Sequence, residues 1–200
     1  MRKVGIMGGT FNPIHNGHLT LAEEAYRQFS LDEVIFMPCG TAYMKADQKV
    51  ESGQTRARMT ALAIQDIPYF TMSTLEIERE GNTYTYQTLE YLNKENPDTE
   101  YYYIVGADIL FQMTQWVFPE RIFSNCRILA AIRDDKTISD MGKLVRMLKR
   151  EYDANVSFVH TSPMPVSSSN IRRKVAEGKS IENDVPKPVR IYIEKRGLYR

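Results

Sequence analysis

The sequence has 200 residues, of which 42% are hydrophobic, enough to bury the core of one large domain. The formal net charge is only +1, so composition does not favour binding to nucleic acid or to an anionic membrane surface. Cys39 and Cys126 show neither metal-ligand spacing nor a disulfide framework, and no apolar run approaches the roughly 20 residues that a membrane span needs. These features predict a cytoplasmic protein with reduced thiols.

Short apolar runs alternate with amphipathic helical patterns along the chain. The apolar runs predict strands over 3–7, 33–37, 69–73, 101–105, 127–132 and 156–159, with 75–78 continuing the third. Helices are predicted over 16–29, 55–65, 84–93, 139–152, 169–177 and 188–195. This alternation predicts an α/β fold with a doubly wound, mainly parallel sheet and helices on both faces, formed by residues 1–200 as a single domain. Ligands of such sheets bind outside the carboxyl ends of the strands, near the point where strand order reverses.

Residues 8–18 join the first predicted strand to the first helix and read Gly-Gly-Thr-Phe-Asn-Pro-Ile-His-Asn-Gly-His. We expect Gly8 and Gly9 to break the strand and to let backbone amides approach an anion. The helix that follows offers N–H groups and the positive end of its dipole to a phosphate. His15 and His18 can face one point and stabilise charge that develops on an attacked phosphate. The alternative for either histidine is an ordinary hydrogen bond at the helix start.

Three later segments also place polar side chains at element ends. Thr85 lies at a helix start and Asp108 follows a strand, so each can contact a ligand or act as a helix N-cap, and for Thr85 the two roles are compatible. Hydroxyl and N–H groups at 167–169, together with Arg172, can hold phosphate or form a plain capping segment. Trp116, the single tryptophan, is suited to stacking on a flat heterocycle or to a place in the core.

The segment at 8–18 resembles the signature of nucleotidyltransferases that carry a His-x-Gly-His motif, and more narrowly that of bacterial nicotinate-nucleotide adenylyltransferases. The segments at 83–89, 104–108 and 166–172 resemble the same family, and the similarity covers nearly the whole chain. It implies a Rossmann-like fold and direct in-line attack, without a covalent intermediate, on ATP that arrives with Mg²⁺. The implied reaction joins AMP to nicotinate mononucleotide and gives deamido-NAD and pyrophosphate. Pantetheine-phosphate adenylyltransferases share the histidines, but have a different glycine turn and shorter chains.

The resemblance also assigns residues to each substrate. It implies that ATP contacts Gly8, Gly9, Thr10, Phe11, His15, His18, Gly106, Asp108, Ser167, Ser168 and Arg172, and that about 166–200 completes this site. It implies that the mononucleotide contacts Asn12, Lys45, Thr85 and Trp116. Catalysis is expected from His15, His18, Lys45 and Arg172. No metal ligand is expected from the protein, because no cluster of acidic residues suggests a metal cage.

The chain departs from the family after the second predicted strand. The family usually has Pro-Pro-His-Lys or Pro-Pro-His-Arg where this chain has Ala42-Tyr43-Met44-Lys45. Met44 removes one phosphate donor, and loss of both prolines raises the cost of ordering the loop. We therefore expect Lys45 to make the phosphate contact alone.

Two other functions remain open from the sequence. One is adenylyl or cytidylyl transfer to a different phosphorylated acceptor. The other is a nucleotide-binding or regulatory protein that has lost turnover, for which the changes at 42–44 are the support. The sequence leaves a homo-oligomer open and does not separate a nicotinate from a nicotinamide acceptor.

Overall fold

A computed structural model of the protein describes residues 1–40, 50–132, 135–162 and 164–200. Within them, one sheet is formed by β1 (Arg2–Gly9), β2 (Glu33–Pro38), β3 (Phe70–Met72), β4 (Thr99–Val105), β5 (Arg127–Ile132) and β6 (Val156–His160). Its order is β3-β2-β1-β4-β5-β6, and every neighbouring pair is parallel. Strand order therefore reverses between β1 and β4, and the predicted doubly wound α/β fold is confirmed.

Helices cover both faces of the sheet. The helices are α1 (Asn16–Phe29), α2 (Gly53–Ile64), α3 (Leu75–Glu78), α4 (Thr85–Glu95), α5 (Ala107–Gln112), α6 (Pro119–Phe123), α7 (Asp135–Tyr152), α8 (Ser168–Ala176) and α9 (Lys187–Arg196). Apolar residues of α1, α2, α8 and α9 pack on one face, and those of α4 to α7 pack on the other. The two cores bury the opposite sides of the same strands, which is why the strands read as continuous apolar runs.

Helix α1 shows how local sequence places the site. It begins directly after His15, whose backbone is extended, and it buries Ala22 and Ala25 against the sheet. It ends at Ser30, a left-handed residue whose N–H donates to the Tyr26 carbonyl. The helix start is thereby fixed at the carboxyl end of β1.

Two local predictions were wrong. Leu75–Glu78 is the helix α3 rather than a strand, because the Ser73 hydroxyl and the Thr74 carbonyl accept its first N–H groups and acidic residues occupy its first turn. Gly8 and Gly9 do not break β1, since they pair in register with Met37 and Pro38.

The sequence patterns also missed α5, α6 and the short 3₁₀ turn at Met113–Gln115. These pieces of three to six residues are too short to show a helical period.

Candidate active site

A cavity of about 730 Å³ opens at the carboxyl ends of the strands, where strand order reverses. Gly8 and Gly9 of β1 line it, together with Val105 and Gly106 at the end of the neighbouring strand β4. The cavity brings together the predicted residues Gly8, Gly9, Thr10, Phe11, Asn12, His15, His18, Thr85, Gly106, Asp108, Trp116, Ser167, Ser168 and Arg172. Lys45 and the departure at 42–44 lie outside the described residues.

The two motif histidines stack against each other at the start of α1. Their ring centroids are 3.6 Å apart at an interplanar angle of 24°. The Phe11 ring is nearly perpendicular to the His18 ring, and the centroids of these two rings are 5.0 Å apart. The backbone N–H of His15 donates to Nδ1 of His18 at 3.2 Å. The expected helix-start hydrogen bond thus exists, and it leaves the proton of neutral His18 on Nε2. The bond fixes the ring without using the donor that a phosphate needs.

His15 is neutral near pH 7. The residue is only 8% exposed. Burial lowers the pKa of His15 from 6.5 to about 4, although the charge of Asp184 acts in the opposite direction. A neutral ring is compatible with the close stack, since two imidazolium ions at this distance would repel. It still carries one N–H that can donate to a phosphate oxygen.

Gly17 gives the His15 ring its space. A Cβ at this position would lie 3.1 Å from Nδ1 of His15 and 3.0 Å from Cγ1 of Val166, both tighter than ordinary contact. The small residue of the His-x-Gly-His motif is therefore explained by packing.

If His15 contacts the reacting phosphate as the sequence predicts, we expect Gly17→Ala to lower kcat about tenfold or more, because displacing the ring by a fraction of an ångström weakens that contact. Steady-state kinetics measures this. Gly142→Ala is the matched control, since a Cβ on that helical glycine would meet only the end of Arg146, at 3.6 Å. A fully active Gly17→Ala enzyme that gains the usual helix stabilisation of about 0.5–1 kcal/mol would contradict the packing argument.

The start of α8 meets the turn that precedes α1. Ser167 caps the helix, as the plain capping interpretation predicted. The Ser168 hydroxyl donates to the Pro13 carbonyl at 2.8 Å, and Nη1 of Arg172 donates to the Asn12 carbonyl at 2.8 Å. The helix start and its guanidinium therefore lie beside the histidine pair, where N–H groups and positive charge favour phosphate.

Tyr103 organises the opposite side of the cavity. Its hydroxyl lies near the Thr85 side chain, and its ring meets Trp116 edge to face, with centroids 6.2 Å apart. Burial raises the pKa of the Tyr103 hydroxyl well above its usual range, so the group stays protonated. A Cβ on Gly8 would overlap this hydroxyl, so the glycine permits the close approach. Tyr103 thus joins two predicted mononucleotide contacts to the end of β1.

The structure decides two of the capping alternatives. Tyr84, not Thr85, is the N-cap of α4, and Gly106, not Asp108, is the N-cap of α5. Neither capping alternative holds, and the ligand contacts of Thr85 and Asp108 remain predictions. Asp108 is exposed in the first turn of α5 and lines the cavity.

Asn12 is held by the protein itself. It is 4% exposed, and its Oδ1 accepts hydrogen bonds from the Tyr199 hydroxyl at 2.9 Å and from the Glu51 N–H at 3.3 Å. These contacts give Asn12 a structural role, and its contact with the mononucleotide remains a prediction.

Sequence patterns missed four polar residues in and behind the cavity: Tyr103, Glu76, Arg56 and Tyr199. Glu76 lines the cavity and accepts from the Thr88 hydroxyl at 2.8 Å, and burial raises the pKa of its carboxyl. Arg56 shares one face of α2 with buried Met59, Thr60 and Ala63, and this spacing was the available signal.

The described residues lack two other features. They contain no group of three or more His, Cys, Asp or Glu side chains that could hold a metal ion. The helices described are all too short or too polar to cross a membrane. Cys39 and Cys126 are both free thiols.

Comparison with known proteins identifies the family. A family model described as "Cytidylyltransferase-like" matches residues 6–174. A protein of Lachnoclostridium phytofermentans named "Probable nicotinate-nucleotide adenylyltransferase" is 46% identical, with all of both chains covered. A Desulfitobacterium hafniense protein of the same name is 39% identical, over all of this chain and 96% of that one. The nicotinic acid mononucleotide adenylyltransferase of Plasmodium falciparum, solved with NaAD, shares the fold with a TM-score of 0.81 at 17% identity, covering 100% of this chain and 98% of that one.

The fold and the histidine site together define a nucleotidyltransferase of the cytidylyltransferase-like class. Within this class, the full-length identity of 46% to the Lachnoclostridium phytofermentans protein identifies a narrower family. The chain belongs to the nicotinate-nucleotide adenylyltransferase family.

Proposed function

We propose that this protein transfers the AMP part of ATP to nicotinate mononucleotide, giving deamido-NAD and pyrophosphate in NAD biosynthesis. One observation carries the proposal: a single cavity brings the two motif histidines, Arg172 and the start of α8 together with Thr85, Tyr103 and Trp116. The first set suits the triphosphate. The second offers a hydroxyl and aromatic surface to a pyridine ring. We also place the protein in the cytoplasm, without nucleic acid or membrane as a partner.

In this mechanism a phosphate oxygen of the mononucleotide attacks the α-phosphorus of ATP. A new P–O bond forms as the bond to the pyrophosphate oxygen breaks. The nucleophile is already ionised, so no general base is needed. Catalysis then consists of positioning and of stabilising negative charge as it develops.

The residues take roles that their geometry allows. His18 and neutral His15 donate N–H groups to phosphate oxygens, and Arg172 with the start of α8 holds the phosphates. Asp108 accepts hydrogen bonds from a ribose. Lys45, which lies outside the described residues, contacts phosphate in this proposal.

Mg²⁺ enters as part of the substrate, MgATP, and neutralises the pyrophosphate leaving group. Among the residues that the structure describes, Glu76 and Asp108 are the carboxylates that line the cavity, and two carboxylates alone do not build an all-protein Mg²⁺ site. We therefore expect activity to follow the concentration of MgATP rather than that of protein-bound metal.

The test uses ATP labelled at the α-phosphate, with the purified protein and either nicotinate mononucleotide or 4′-phosphopantetheine. The proposal predicts label in the dinucleotide, one pyrophosphate per transfer, and no label on acid-quenched protein. Transfer to phosphopantetheine instead would establish the rival acceptor. ATP binding without pyrophosphate release for any acceptor would mean that the chain binds nucleotide without turnover.

A further inference from the structure

The turn over residues 10–13, between β1 and α1, is held by side chains on two sides. Arg172 and Ser168 bind the carbonyls of Asn12 and Pro13 from the cavity side. Two further side chains, Arg56 and Tyr199, bind the same turn but do not line the cavity. Because the turn leads directly into His15, its position sets that of the imidazole pair.

Arg56 is a buried guanidinium whose five N–H groups all have acceptors. It is 3% exposed. Nε donates to the Glu51 carbonyl at 3.0 Å, and Nη1 donates to the Thr10 carbonyl at 2.8 Å and to Sγ of Cys39 at 3.9 Å. Nη2 donates to the carbonyls of Cys39 at 2.7 Å and Gly40 at 3.2 Å. One planar group therefore joins the backbone after β1, the backbone after β2 and the backbone before α2.

These acceptors are all uncharged. Carbonyl dipoles and a thiol solvate the guanidinium, but none of these groups neutralises it. A lysine at this position would keep the charge, but its single nitrogen could not bridge three backbone segments. Arg56→Lys therefore separates the geometric role of Arg56 from its charge.

Tyr199 reaches the turn from the C-terminal end of the chain. Its hydroxyl donates to Oδ1 of Asn12 at 2.9 Å, the same oxygen that accepts from the Glu51 N–H. Tyr199 has φ of +66° and follows Gly197, with φ of +61°. A non-glycine residue keeps this conformation where its surroundings hold it. Burial raises the pKa of the Tyr199 hydroxyl, so it remains a donor at neutral pH.

We propose that Arg56 and Tyr199 are positioning residues for the adenylyl transfer reaction. They fix the turn over residues 10–13, and through it the placement of His15, His18 and Arg172 around the α-phosphate. The inference rests on the proposed function for its kinetic readout. Both residues act through the turn and do not touch substrate.

The experiment compares Arg56→Lys and Tyr199→Phe with two matched controls. Arg58→Lys changes an exposed arginine on the same helix, and Tyr102→Phe removes a hydroxyl bound to Glu100, near the opposite end of β4. Each variant is assayed well below its own Tm. The measurements are kcat, the Kd of a non-hydrolysable ATP analogue by calorimetry, and Tm.

We expect kcat to fall about 10–100-fold in Arg56→Lys and about 3–10-fold in Tyr199→Phe, since small misplacement of catalytic groups has effects of this size. The Kd of the ATP analogue should rise less than kcat falls, and both controls should match wild type. A merely structural role would lower Tm and leave kcat unchanged in folded enzyme.

Wild-type kcat and Kd in both folded variants would overturn the proposal. If Arg56→Lys does not fold, Tyr199→Phe decides alone, because it removes a single hydroxyl. If wild type itself shows no transfer to nicotinate mononucleotide, the proposed function fails. In that case, an unchanged Kd of the ATP analogue in both variants would count against a positioning role for Arg56 and Tyr199. A raised Kd in both variants would still support that role.

Discussion

Replacing His18 by alanine is expected to lower kcat about 10²–10³-fold, the usual cost of removing one donor that stabilises transition-state charge. The Kd for ATP should change far less, because the donor acts mainly on charge that develops as the α-phosphorus is attacked. Steady-state kinetics with calorimetric binding of an ATP analogue measures both quantities. His160→Ala is the control, since His160 is exposed and does not line the cavity.

A second variant separates the two tasks of His18. In wild type, Nδ1 of His18 accepts a hydrogen bond from the His15 backbone N–H at 3.2 Å. The side-chain oxygen of asparagine can accept the same bond, but asparagine has no counterpart of the Nε2–H of His18. The catalytic assignment predicts that His18→Asn stays nearly as slow as His18→Ala. Activity close to wild type in His18→Asn would show instead that the helix-start hydrogen bond is the whole role of His18.

His15 should make the protein less stable as the pH falls from 7 to 5. The folded pKa is about 4 and the ordinary value is 6.5, so between them the unfolded chain binds a proton that the folded chain does not. The free energy of unfolding therefore decreases as the pH drops through this window, by about 2 kcal/mol between pH 7 and 5. Above the ordinary pKa this contribution is fully present.

Urea titrations at the two pH values test this on wild type, His15→Gln and His160→Gln. Wild type and His160→Gln should both lose the additional stability at pH 5, whereas His15→Gln should not. Parallel pH profiles for wild type and His15→Gln would mean that His15 is not held neutral by burial.

The sequence predicted those features that lie close together along the chain. The motif at 8–18 contains both histidines and Gly17, so its spacing alone placed the imidazoles at one helix start. Apolar runs located the strands because both faces of the sheet are covered. Helix α1 and strand β5 have the predicted bounds.

Features that depend on contacts between distant residues could not be predicted. Tyr199 and Asn12 are 187 residues apart, and Arg56 and Thr10 are 46 apart. Nothing local marks Tyr199 as a hydrogen-bond donor to the motif. The sequence pattern around Tyr103 predicted an ordinary buried strand. Only the packing shows that the Tyr103 hydroxyl lies against Gly8.

The proposed reaction is tested most directly by the rate of pyrophosphate release with MgATP and either nicotinate or nicotinamide mononucleotide. We expect kcat/KM to be about 10²-fold or more higher for the nicotinate form, because a site built to bind the carboxylate leaves polar groups unpaired with the amide. That result would also show that the chain tolerates the changes at 42–44. Equal rates with the two acceptors, or no release with either, would contradict the proposed reaction.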